Sequence, residues 1–178
     1  MAHIRLKLAN VAAQGAAISS KLARFVLIGF FFTALGSAPA QMPNAYGLPI
    51  SLENAKKVAA PAIAEAAKNN WAVAVAIVDP SGNLVYYEKM DNTQLGSARI
   101  AVEKAATAAK FKRPTQAFQD ALAKGAENLR TLTLSGVVAA EGGIPLLIDG
   151  KIVGAIGVSG MTSAQDNQCA KAGADSLK

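Results

Sequence analysis

Glu141 stands directly before Gly142-Gly143, at the entrance to an apolar run. A carboxylate placed there can take a proton, and a Gly-Gly backbone can turn its N–H groups toward an anion. Glu141 is therefore the first acid to test as a catalytic group. The plainer reading is a solvated loop residue. Upstream, Arg99, Lys104, Lys110 and Lys112 give one alanine-rich segment a basic side against a single acid, Glu103. Lys104 or Arg99 can grip a carboxylate, with Phe111 and Met161 as pocket walls. Against this, such charges most often form a solvated face.

Other chemistry is ruled out by what the chain lacks. Its one histidine is His3, and that lies in a stretch expected to be removed. Lys21 and Arg24 precede an apolar run, Phe25–Leu35, and Ala38-Pro39-Ala40 supplies the small residues of a cleavage site. Residues 1–40 are read as a signal peptide cut after Ala40. The apolar run is short of the roughly 20 residues of a membrane span. The product is expected in the periplasm or secreted, without a membrane span. Without imidazole, the exported part has no Ser-His or Cys-His catalysis and no histidine-held metal or haem.

Four basic residues leave with the leader, so the balance falls to 14 Lys and Arg against 12 Asp and Glu. No basic tract remains to suggest nucleic acid. Cys169 is the single cysteine, which excludes an internal disulfide and reads as a small buried hydrophobe on a helix. No phosphate-binding loop, C-x-x-C or nucleophile-elbow motif is present. Asp79 and Asp149 read as turn residues, and no resident metal is expected.

The elements that must position these groups follow from periodicity. Residues 41–50, with two prolines, read as a flexible tail ahead of a domain over 51–178. Ser51 can cap a helix whose apolar face includes Ala55, Val58, Ala62 and Ala66, with a kink expected at Pro61. Trp71–Val78 and Leu84–Lys89 form a hairpin around Asp79-Pro80-Ser81-Gly82-Asn83. Ser97 can cap a second helix to about Lys112, ended by Pro114. Thr115 can cap a third, Gln116–Lys124, and Ala126–Thr131 reads as a further turn. Val137–Ala140 is read as an extra strand. Ile144–Ile148 and Ile152–Val158 flank Asp149-Gly150, a strong signal for a tight hairpin. Ser163–Leu177 closes the chain as a helix. Hairpins outnumber crossovers, which predicts an α/β (α+β) domain with an antiparallel sheet. Glycines along the last hairpin point to something packed closely on it, most simply a helix.

Four stretches together carry a resemblance. They are VAVAIVDPSGNLV, the helix SARIAVEKAATAAKFKRPT, the hairpin GGIPLLIDGKIVGAIGVSG, and Asp166 through Cys169-Ala170 to Gly173. They resemble the GlcG/HbpS-like, or haem-degrading domain, family over about Leu48 to Lys178. The resemblance implies a five-stranded antiparallel sheet flanked by helices, similar to profilin-like or Roadblock-like domains. It also implies homo-oligomers. The exported branch is similar to proteins that bind haem and can report to a sensor kinase. Other branches sit in glycolate-utilisation operons or in corrinoid adenosyltransferases.

On the haem reading, the ligand-contacting set is Lys104, Thr107, Phe111, Glu141, Gly142, Gly143 and Met161. With no histidine, iron would draw on Thr107, Tyr86, Tyr87, Met90, Met161, Lys104 or Cys169. Two other readings stand beside it: a binder of, or weak enzyme on, a small carboxylate such as glycolate, and an oligomeric partner-binding protein with no ligand of its own.

Overall fold

The computed structural model describes residues 44–177, within the compact unit Gln41–Lys178. The expected signal peptide lies outside the described residues. In chain order the elements are α1 (Leu52–Lys68), β1 (Ala74–Val78), β2 (Leu84–Lys89), α2 (Ser97–Phe111), α3 (Gln116–Lys124), a 3-10 helix (Ala126–Thr133), β3 (Gly143–Ile148), β4 (Lys151–Ser159) and α4 (Ser163–Asp175). The sheet has four strands among the described residues, in the order β2-β1-β4-β3, and every pairing is antiparallel. No helix among the described residues is long and apolar enough to cross a membrane.

The expected fifth strand is not formed. Val137–Ala140 runs as a loop, pinned at its start by Thr107. The Val138 N–H donates to Thr107 Oγ1 at 3.0 Å, and that hydroxyl donates to the Gly136 carbonyl at 3.1 Å. A buried backbone needs partners, but a side chain can supply them as well as a strand can.

Both predicted hairpins are present. Asp79 accepts the Ser81 and Asn83 N–H groups, as a turn carboxylate should. Asp149 and Gly150 both sit at positive φ, 49° and 71°, the conformation a type I′ turn requires. Pro61 lies inside a continuous α1. Proline cannot donate to the carbonyl four residues back, and the Ser176 hydroxyl donates to that Lys57 carbonyl at 3.3 Å.

The two faces of the sheet are filled differently. Val75, Ile77, Ile156, Val158 and Leu146 pack with α1 and α4 in the main core. On the other face the alanines of α2 meet Ala74, Ala76, Val78 and Ala155. Small residues on both sides let the helix backbone lie almost on the strands. At Gly157 a Cβ would run into the Ala101 carbonyl and come within 2.5 Å of the Ala105 amide nitrogen. Gly157 therefore serves helix-on-sheet packing, whereas a Cβ at Gly154 would strike the Val78 carbonyl of the neighbouring β1.

Three local expectations are corrected. Ser97 and Thr115 make no cap bonds. Their hydroxyls turn to the sheet instead, Ser97 to Ser159 at 3.2 Å and Thr115 to the Gly143 N–H at 2.9 Å. In the stretch read as a flexible tail, Ala45 to Ile50 is tied down by hydrogen bonds to Ile152 and Val153 of β4, each 2.8 Å. Tyr46 anchors it further, donating to the Ala109 and Lys110 carbonyls.

Candidate functional site

The alanine-rich α2 carries Lys104 into the interior. Its Nζ donates to Asp166 Oδ2 at 2.7 Å and to the Val158 carbonyl at 3.0 Å. Both side chains are 3% exposed. Asp166 reaches this position because Thr162 and Gln165 form a capping box that starts α4 at the end of β4. The other carboxylate oxygen accepts the Met161 N–H at 2.9 Å. Burial pushes the Asp166 carboxyl upward; the Lys104 ammonium and the Met161 and Gly160 amides pull against it, and burial prevails.

Gly142 closes over this pair at φ +115°, where a Cβ would lie 2.6 Å from the Val158 carbonyl and 3.0 Å from Lys104 Nζ. Beside it, a Cβ at Gly143 would strike the Lys104 carbonyl and come within 2.6 Å of Thr115 Cγ2. The Gly143 N–H already donates to Thr115 Oγ1. The anion grip expected from Lys104 and the Gly142-Gly143 amides is thus turned inward: the lysine and the Gly143 donor hold the protein's own acceptors.

One turn along α2, Thr107 is fully buried and pins the Gly136–Val138 loop. A further turn on, Phe111 is half-buried, edge-on to Phe118 with centroids 5.5 Å apart. Glu141 is clamped by α3: its Oε1 accepts from Gln119 Nε2 at 2.9 Å, and its N–H donates to Gln119 Oε1 at 3.1 Å. Met161 is 38% exposed. The seven residues therefore form a strip along α2: Lys104, Thr107 and Phe111 on the helix itself, Gly142, Gly143 and Met161 about the Lys104–Asp166 pair, and Glu141 clamped to Gln119. Phe111, Glu141 and Met161 keep exposed surface, whereas Lys104, Thr107, Gly142 and Gly143 act from beneath by fixing the backbone.

The remaining candidates are less available. Arg99 is on the surface, paired with Glu103. Cys169 is fully buried, and burial pushes its thiol up to about 11. Tyr86 donates to Glu88 at 2.7 Å, and Met90 packs against the core. No cluster of His, Cys, Asp or Glu among the described residues is arranged to hold a metal.

Two features escaped sequence reasoning. Asp166, as the partner of Lys104, is the first; in sequence it opened the last of the four family-like stretches and held a favourable place in the opening turn of a helix. The second is an open groove of about 470 Å³ along β3, between α4 and the corner joining α2 to α3. Ile144, Leu147 and Ile152 line it together with Lys112, Asn167 and Lys171. Asn167 and Lys171 are four apart on α4, a spacing that puts them on one helix face.

Similarity to known proteins follows the same boundaries. Residues 50–175 match the family model described as haem degrading protein HbpS-like. Protein GlcG of Escherichia coli is 41% identical over 110 residues, covering 62% of this chain and 81% of GlcG. The crystal structure of HbpS aligns with a TM-score of 0.67 at 32% identity, covering 79% of this chain and 99% of that one. The crystal structure of a PduOC:haem complex aligns with a TM-score of 0.66 at 27% identity, covering 74% and 96%. The four-stranded antiparallel sheet, the helices on its faces and the match across residues 50–175 agree, and the chain belongs to the HbpS-like family.

Proposed function

We propose that the protein is an exported haem- or tetrapyrrole-binding module, acting in the periplasm or outside the cell as a homo-oligomer. The observation that carries this reading is the match to a haem-degrading family model over residues 50–175, together with a similar fold solved as a haem complex. When bound, haem supplies a redox-active iron; this chain supplies the surface that holds it. The described residues contain no histidine, so a strong imidazole ligand is not part of the fit. Met161 is a soft sulfur donor with exposed surface, placed by the Asp166 bond to its N–H. Phe111 offers a partly exposed aromatic ring. The arrangement suits a shallow site, completed by a second subunit, better than an enclosed pocket.

Gel filtration of the protein with excess haem tests this. Haem absorbance should travel with the protein, at a reduced ratio for Met161→Ala. Haem that elutes only in the free fraction would refute the reading.

A further inference from the structure

We propose that the groove along β3 binds an amphipathic carboxylate, with the apolar body on Ile144, Leu147 and Ile152 and the acid held by Lys112, Lys171 and Asn167. This inference stands apart from the haem reading, because it requires no iron and uses none of the residues of the α2 strip.

Size and lining come first. About 470 Å³ falls inside the range of small-molecule sites, and such sites combine apolar walls with a few convergent polar groups. The groove has that division: Ile144 and Leu147 of β3 form the floor, backed by the buried Ile152 of β4, and two lysines and amide side chains form the rim. Asp175 is the one acid in the lining, so two ammonium groups face one carboxylate.

Lys112 is pre-positioned. It caps α2 in the left-handed conformation, φ 56°. Its Nζ stands 4.3 Å from the centroid of the Tyr46 ring. Tyr46 is itself fixed by two hydrogen bonds to the last turn of α2. A cation already held in place loses less freedom on binding an anion. The Asn44 and Asn167 amides also line the groove and make no hydrogen bond among the described residues. A carboxylate offers the acceptors such donors lack.

β3 is an edge strand, and edges can recruit another strand. Pro145, in the middle of β3, removes one N–H from that edge, and the register shifts between Leu146 and Leu147. Both features make it a poor template for strand addition. The groove therefore suits a small molecule over a peptide. An apolar free acid and the propionate edge of a tetrapyrrole share the required chemistry, and the test separates them.

The test is a titration of the ¹⁵N-labelled protein followed by amide shifts, with four probes: octanoate, octan-1-ol, protoporphyrin IX and its dimethyl ester. Octanoate or protoporphyrin IX should give saturable shifts centred on Ile144, Leu147 and Lys171. The uncharged partner of each pair should bind at least about tenfold more weakly. Lys171→Glu, and Lys112→Asn, which keeps a residue tolerant of positive φ, should each weaken the acid by a similar factor. Tighter binding of protoporphyrin IX identifies a tetrapyrrole acid as the source; tighter binding of octanoate identifies a free one.

Acid and uncharged probes that bind equally, shifts unmoved by the lysine variants, or shifts confined to other faces would overturn the site. So would concentration-dependent shifts at these residues without any acid, which would mean that a second copy fills the groove. Haem that still binds while neither acid probe shifts the groove sinks this site alone and leaves the haem reading intact.

Discussion

Lys104 Nζ lies 2.7 Å from Asp166 Oδ2, with both side chains 3% exposed, and the contact joins α2 to α4 across the end of β4. Two residues 62 apart in sequence thus lock the helix layers on opposite faces of one sheet. Gly142 seals the pair, and Met161 is fixed by the same carboxylate. The interaction is the structural base of the candidate site.

Removing one partner of this pair strands a buried charge. Lys104→Met should cost about 3–5 kcal/mol, the usual range for breaking a buried pair. Asp166→Leu should cost a similar amount. The double variant should be more stable than the sum of the two losses predicts, because neither charge is left alone. Denaturant unfolding of the four proteins measures this; strictly additive losses would show that the pair is not coupled.

Cys169 should be inert and should make stability fall in alkali. Its thiol is held at about 11, above its ordinary value of 9.0, mainly by burial. The unfolded chain sheds this proton first, so its contribution is complete below pH 9 and is lost as pH rises through 11. At most about 2–3 kcal/mol is involved. Cys169→Ala should flatten the decline between pH 9 and 11, and the wild-type thiol should react with a disulfide reagent at pH 8 only as fast as the protein opens. Fast labelling of the native protein would contradict the burial.

Gly143→Ala should destabilise by about 1–3 kcal/mol, the cost of forcing an extra methyl into a filled space. The new Cβ meets the Lys104 carbonyl, which is backbone and cannot swing away. Thermal unfolding checks this. A neutral substitution would mean that α2 can lift from β3 without loss.

Thr107→Val keeps the side-chain shape but deletes the hydroxyl that binds both the Gly136 carbonyl and the Val138 N–H. A loss of about 1–3 kcal/mol follows from leaving buried groups unpaired. Hydrogen exchange at Val138 should accelerate more than exchange in β1. Unchanged exchange would show that the loop holds its shape by other means.

Most of the fold was legible in sequence because its signals are local. Periodicity marked α1 and α2, and Asp149-Gly150 marked the turn between β3 and β4 through the positive φ it demands. What failed depended on partners distant in sequence. Ser97 and Thr115 look like caps, but the sheet claims their hydroxyls. Val137–Ala140 has strand composition, but its Val138 N–H is taken by Thr107, 31 positions away. Lys104 looked like a surface charge because no pattern announces that a residue 62 positions away will meet it. Of the seven candidate residues, Lys104, Thr107, Gly142 and Gly143 are buried and hold backbone in place, and burial of that kind leaves no mark in local sequence. The groove was missed because its walls come from β3, β4, α4 and the corner between α2 and α3, which are distant in sequence.

Haem binding itself is tested most directly by titrating the protein with haem and following the absorbance. The predicted result is a saturable Soret shift at micromolar protein, weakened by Met161→Ala and retained in Cys169→Ala. A spectrum that stays the sum of free haem and protein throughout the titration would contradict it.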